Sequence, residues 1–258
     1  MKEIITLSPG FSFSYSGREN YIIQIPKESE PMTIEYGKIY GIQGPNGSGK
    51  TTLLNVLNGF LRPTEGYITY YNTKTFNISK RSFKENVTVI KVANFLDGVR
   101  RLFQVPILAD DISVLDSMLL VKRNKLDERF WNSFNPQKLI LRLINRAKES
   151  DTEEAKALLK EFNFNDPSVS NSTLSYGQRR LITVLQMIFS DATLLLMDEP
   201  FANIHDDYVK KIKILLKLYI KGRNRSIVII EHDNNNMKDF VDIIWTLIDT
   251  NITVKENG

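Results

Sequence analysis

The chain has 258 residues, 42% hydrophobic and 25% charged, the proportions of an ordinary globular protein that can bury a core without disulfides or a structural metal. Its formal charge of +4, from 34 Lys and Arg against 30 Asp and Glu, is mild and scattered, and neither demands nor excludes nucleic acid. The absence of cysteine rules out disulfides, thiolate catalysis and cysteine-held metals.

The N-terminal stretch MKEIITLSPG has no long apolar run behind its Lys, so no signal peptide is expected. The densest apolar runs, Leu194–Met197 and Ile227–Ile230, fall far below the roughly 20 residues of a membrane helix. A soluble chain is expected, with any membrane role through a separate partner. Residues 1–40 alternate as strands do, punctuated by Gly10, Gly17, Pro26, Pro31 and Gly37. Ile39–Ile42 reads as a short buried strand running into a glycine-rich segment. Leu53, Leu54, Leu57 and Phe60 then predict the buried face of a helix ending before Pro63. Residues 66–92 return to strand-like patterning.

Residues 105–173 change character to leucine-rich helical stretches. Ser113 with Asp116, and Asp151 with Glu154, resemble capping boxes; Ala155, Leu158, Leu159 and Phe162 fall on one helical face. From Leu174 the α/β pattern resumes. A helix carries Leu181, Leu185 and Ile188 on one face, and a buried strand follows at Thr193–Asp198. Asp206 and Asp207 open a helix with Val209, Ile212, Leu215, Leu216 and Tyr219 inward and Gly222 as its stop. Ser226–Ile230 is another buried strand. Strand, helix, strand in that order predicts an α/β fold with a parallel sheet and right-handed crossovers.

The segment Gly44, Pro45, Asn46, Gly47, Ser48, Gly49, Lys50, Thr51, Thr52 matches the phosphate-loop pattern in full, between a strand and a helix. Glycines let successive backbone N–H groups curl around phosphates without Cβ clashes, and the following helix points its positive end at the same anion. Lys50 would sit between the β- and γ-phosphates, and Thr51 would place its hydroxyl on Mg²⁺. By itself the loop specifies a nucleoside triphosphate and no more.

Leu194–Met197 ends in Asp198 and Glu199. Asp198, closing the strand, would orient Mg²⁺ through water; Glu199, one residue on, would polarise the attacking water as general base. The competing reading is a strand running into a solvated acidic loop. A phosphate loop elsewhere in the chain weighs against it.

Leu174-Ser175-Tyr176-Gly177-Gln178 resembles the Leu-Ser-Gly-Gly-Gln signature of ABC ATPases, with Tyr176 in place of the first Gly. Gln178 and Asp198 lie 20 residues apart, a length that suits a signature helix leading into the acidic strand. The resemblance implies a P-loop NTPase fold: a RecA-like parallel sheet core with an N-terminal antiparallel β part in 1–104 and 174–258, and an inserted α-helical subdomain at 105–173. It implies that Tyr15, in Phe13-Ser14-Tyr15, stacks on adenine. Gln104 would sense the metal and the γ-phosphate, and His232 would hydrogen-bond the γ-phosphate. It further implies a head-to-tail dimer, a homodimer or a heterodimer with another ABC ATPase subunit, in which Ser175, Gly177 and Gln178 of one subunit close over the ATP of the other. Separate transmembrane permease subunits, and a peripheral place on the cytoplasmic face of the membrane, follow from the same likeness. So does the activity: Mg²⁺-dependent ATP hydrolysis that powers transport.

Two departures stand out. Where the family has an Asp in the segment after the acidic pair, this chain reads Ala202-Asn203-Ile204-His205. Tyr176, together with Leu102–Val105, Ile112–Leu120 and Phe130-Trp131, is similar to the subgroup serving branched-chain amino acid and urea-type importers. A soluble ABC ATPase acting on nucleic acid or ribosomes is the alternative. Gln104 and Ser175 are 71 residues apart, too close for the long coiled-coil arm of chromosome-type members, and no basic stripe with interleaved aromatics appears. No nucleic-acid partner is expected. A small-molecule kinase using the phosphate loop alone would leave Gln104, Leu174–Gln178 and His232 without purpose.

Overall fold

A computed structural model describes residues 3–17, 20–71, 75–79, 98–122 and 148–257. The chain forms two compact units. One comprises Met1–Arg101, Ala192–Pro200 and Lys217–Gly258, the other Leu102–Asp191 and Phe201–Leu216.

The first unit is built around apolar strands that bury both faces, as parallel strands do. Every residue of β9 (Leu194–Asp198) and β10 (Ser226–Ile230) is buried, and so are the first four of β5 (Ile39–Gln43). β10 runs parallel to β5 on one side and β9 on the other, with Ile230 opposite both Ile42 and Asp198. This register decides where the chemistry goes. The segments after Gln43, after Asp198 and after Ile230 all leave the sheet at one edge, the carboxyl ends of parallel strands, where α/β folds place ligands.

β11 (Ile243–Ile248) adds in parallel to the far side of β5 and turns back into antiparallel β12 (Asn251–Glu256). No strand was expected beyond Ile230, although Ile243–Ile248 is an apolar run of strand-forming residues. With β2 (Ser12–Phe13), β3 (Ile23–Gln24) and β8 (Val99–Leu102), the sheet order is β2-β3-β12-β11-β5-β10-β9-β8. Trp245 of β11 is buried, its ring edge-on to Tyr40 at 5.4 Å. A second sheet, in the order β4-β1-β6-β7, is the antiparallel part. It contains β1 (Glu3–Leu7), β4 (Met32–Glu35), β6 (Tyr67–Tyr71) and β7 (Thr75–Ser79). The rest of the strand-like stretch 66–92 lies outside the described residues.

Helix α1 (Lys50–Leu57) follows the glycine-rich loop and buries Leu53, Leu54, Val56 and Leu57. It stops before Phe60, which the 3.6-residue pattern had placed on the buried face and which is 62% exposed. Asn58 and Gly59 cause this early stop. Gly59 is left-handed (φ 76), its N–H donates to the Val56 carbonyl, and that of Phe60 donates to the Asn55 carbonyl, the pair of bonds that closes a Schellman motif.

In the second unit, α2 (Val114–Val121) starts as expected: Ser113 Oγ accepts from the Asp116 N–H at 3.0 Å and donates to the Asp116 carboxylate. The proposed cap at Asp151 is corrected. Helix α3 (Glu149–Glu161) is capped three residues earlier, at Lys148, which makes no side-chain cap bond. Asp151 instead lies within the first turn, where its charge still suits the helix dipole. Ala155, Leu159 and Phe162 are buried and Leu158 half-buried. Helix α4 (Tyr176–Phe189) buries Leu181 and Leu185, with Ile188 half-buried. Helix α5 (Asp206–Ile220), which belongs to this unit as far as Leu216, carries buried Val209, Ile212, Leu216 and Tyr219 and is followed by left-handed Gly222. Phe130 and Trp131 lie outside the described residues. Among the described residues, no helix is long and apolar enough to cross a membrane.

Candidate functional site

The loop Gly44–Gly49 connects β5 to α1 in the first unit. Its backbone needs glycine at both ends. Gly44 has φ 148 and a Cβ there would overlap the Leu247 carbonyl; Gly49 has φ 100 and caps the helix. Between them Pro45, Asn46 and Gly47 are exposed, leaving an open cradle whose helix end favours an anion. Ser48 Oγ is buried with no hydrogen-bond partner, an orphaned donor of the kind a phosphate oxygen satisfies. Lys50 is buried, and its Nζ donates to the carbonyls of Gly44 and Pro45, 2.9 Å each. Burial pulls the Lys50 pKa down, while the nearby Glu199 and Asp198 carboxylates pull it up. Thr51 is exposed at the start of α1, and the Thr52 hydroxyl lies 3.4 Å from Tyr15 Oη. The Tyr15 ring is 41% exposed and packs edge-on to Phe13 at 5.0 Å. An accessible ring therefore stands beside the first turn of the helix.

Asp198 is the last residue of β9 and buried. Glu199 leaves the strand in the left-handed region, φ 48, rare for a residue with a side chain and typical of strained functional positions. Its N–H donates to the Ile230 carbonyl at 2.9 Å. Its carboxylate oxygen lies 3.0 Å from His232 Nε2, so the acid after β9 meets the histidine after β10. Tyr15, the whole loop Gly44–Thr52, Asp198, Glu199 and His232 thus all belong to the first unit.

Sequence reasoning missed Arg101. Its Nη2 donates to Asp198 Oδ2 at 2.9 Å, and the two side chains are 4% and 3% exposed. Desolvation lowers the Arg101 pKa, opposed by the Asp198 charge and hydrogen bond. The available signal was strand alternation, which puts Arg101 on the face of buried Val99.

Thr51 and Asp198 offer hard oxygen donors. Among the described residues no group of three or more His, Asp or Glu could enclose a metal. An ion here would draw its other ligands from nucleotide and water, which is the habit of Mg²⁺; the residues fit that ion.

The second unit holds the other candidates. Ser175 is the N-cap of α4, and with Gln178 it closes a full capping box: Ser175 Oγ accepts from the Gln178 N–H and Gln178 Oε1 from the Ser175 N–H. The signature segment is therefore a pre-formed helix N-terminus, with Ser175, Tyr176 and Gln178 exposed. A Cβ on Gly177 would lie 2.7 Å from the Asn203 carbonyl. Gly177→Ala should therefore lower the melting temperature, although Ala gains about 1 kcal/mol over Gly in a helix, because backbone must shift to admit it. A melting temperature at or above wild type would show the contact to be harmless.

Gln104 follows β8 and is exposed; its carbonyl and that of Phe103 accept from the buried Arg180 guanidinium of α4. His205, standing where an Asp was expected, accepts the Asp207 N–H on Nδ1 at 3.3 Å, so the ring caps α5 as a carboxylate would.

A family model described as ABC transporter matches residues 29–202. The chain is 26% identical over 217 residues to the high-affinity zinc uptake system ATP-binding protein ZnuC of Bacillus subtilis, covering 84% of this chain and 81% of that one. It is also 26% identical over 203 residues to the high-affinity branched-chain amino acid transport ATP-binding protein BraF of Pseudomonas aeruginosa, covering 78% and 74%. Among solved structures, a nucleotide-free ATP-binding cassette from an ABC transporter superposes with a TM-score of 0.69 at 23% identity over 99% of this chain and 92% of that one. A dimeric cassette in a post-hydrolysis state with ADP and phosphate gives 0.72 at 18% identity over 99% of both. Those two likenesses speak for the fold. The family match runs from before the phosphate loop to beyond Glu199 and takes in most of the chain, which therefore belongs to the ABC transporter family.

Proposed function

We propose that this chain is the ATP-binding and ATP-hydrolysing subunit of a transporter, driving separate membrane subunits from the cytoplasmic side. The observation that carries the reading is the convergence of Lys50, Asp198, Glu199 and His232 on one sheet edge, beside a loop with an unsatisfied buried Ser48 hydroxyl. In this scheme the N–H groups of Gly44–Thr52 cradle the phosphates and Tyr15 stacks on the base. Lys50 exchanges its two carbonyl partners for phosphate oxygens. Thr51 and Asp198 would hold Mg²⁺, which would supply charge neutralisation on the phosphates. Glu199 takes the proton of the attacking water, and His232 holds that carboxylate in place and reaches the γ-phosphate.

At the N-terminus of α4 the capping box uses the N–H groups of Ser175 and Gln178, and the positive end of the helix dipole, with the N–H groups of Tyr176 and Gly177, suits an anion. We assign this helix end to the ATP of a second ABC ATPase subunit, so ATP binding closes the dimer and hydrolysis opens it. The choice of cargo falls to the membrane subunits. The likeness to branched-chain amino acid ATPases around Tyr176 and Gln104 makes an importer of such solutes the first pairing to test. The decisive assay is phosphate release by the purified chain over a range of protein concentrations. Specific activity should rise with concentration as dimers form and vanish with EDTA. Activity per subunit that is constant on dilution would overturn the shared site. Absence of hydrolysis, alone and with the membrane subunits, would overturn the function.

A further inference from the structure

We propose that Arg101 is an internal stand-in for the metal on Asp198, holding the carboxylate neutralised while no divalent cation is bound and yielding it when nucleotide arrives with Mg²⁺. The inference rests on the Mg-ATP reading above. Three observations support it. Arg101 and Asp198 form a nearly sealed ion pair at 2.9 Å, on β8 and β9, neighbours in the sheet. The paired carboxylate is the one proposed for the metal. Glu199, the adjacent acid, meets His232 at 3.0 Å.

The physical need is plain. A buried carboxylate without a counter-ion is strongly unfavourable, and a metal that comes and goes with nucleotide would leave Asp198 in that state once per cycle. A guanidinium keeps its charge at any physiological pH, so it can give up Asp198 only by moving, never by losing a proton. Lys50, Arg101, Asp198 and Glu199 together place two cations against two anions. Such a site tolerates ATP arriving without metal. Without Arg101 it carries a net negative charge that repels bare ATP and attracts a divalent ion. Arg101 is thereby a positioning residue that sets how steeply nucleotide binding depends on Mg²⁺.

The test compares wild type, Arg101→Met and Arg101→Lys. Binding of a fluorescent ATP analogue is measured with Mg²⁺ and with EDTA, and Mn²⁺ binding to nucleotide-free protein by electron paramagnetic resonance. In Arg101→Met, metal-free affinity should fall about tenfold or more, the scale of one uncompensated charge a few ångströms away. Affinity with Mg²⁺ should change far less, and Mn²⁺ should bind without nucleotide. Arg101→Lys, which restores the charge, should return toward wild type on both measures. If Arg101→Met melts too early for these assays, Mg²⁺ alone should raise its melting temperature and not that of wild type; no such rise overturns the inference. Normal wild-type binding with an unchanged EDTA-to-Mg²⁺ ratio in Arg101→Met overturns this inference alone. A wild type that fails to bind the analogue with Mg²⁺ overturns the Mg-ATP reading and this inference with it.

Discussion

Glu199→Gln is expected to slow ATP hydrolysis by about 10²- to 10⁴-fold, the range a positioned general base contributes, while nucleotide affinity changes little. The substitution keeps the shape of the side chain and a hydrogen-bonding group within reach of His232 Nε2, at 3.0 Å in the native pair. What it removes is a group able to accept a proton from water. Because binding is retained and turnover is not, ATP should persist at the subunit boundary and hold dimers closed. Phosphate release measures the first effect; size-exclusion chromatography in Mg-ATP measures the second. A variant hydrolysing at the wild-type rate would remove Glu199 from the role of base.

Lys50→Ala should weaken ATP binding by roughly tenfold to a hundredfold, from about 1.5–3 kcal/mol for a lost charge-assisted hydrogen bond. This ammonium holds the Gly44 and Pro45 carbonyls, so the variant also loosens the loop it leaves. Calorimetric titration with ATP reads the affinity, and a melting curve without ATP separates that loss from unfolding. Unchanged affinity in a folded variant would contradict the assignment of the loop.

The parts of the site legible in the sequence are those whose chemistry lies in adjacent residues. Gly44–Thr52 carries its own backbone demands, and Asp198-Glu199 follows a run apolar enough to be a central strand whatever surrounds it. The fold core was legible for the same reason: β9 and β10 are buried on both faces, so their residues are apolar throughout. Arg101 was hidden because its partner lies 97 residues away; alternation with Val99 marks its face of the strand but not what it meets there. Phe60 misled because the periodic pattern ran on past a stop. Asn58-Gly59 was the stronger signal, since a left-handed glycine ends a helix wherever the next apolar residue falls. The Asp151 start was misplaced because an acid in the first turn and an acid at the cap look alike without the backbone. β11 and β12 escaped although Ile243–Ile248 is an apolar, β-prone run with Trp245 and Leu247 buried in alternation, because they carry none of the site's motifs.

The left-handed backbone at Glu199 bears on how this protein could be engineered. A residue with a Cβ at φ 48 gives up roughly 1–2 kcal/mol that glycine would not. A library selected for heat tolerance alone should therefore enrich Glu199→Gly, yielding sturdier molecules that no longer turn over. Selection for durability and selection for work pull this codon in opposite directions, and a thermostable version of this motor is better sought in its loops and helix ends.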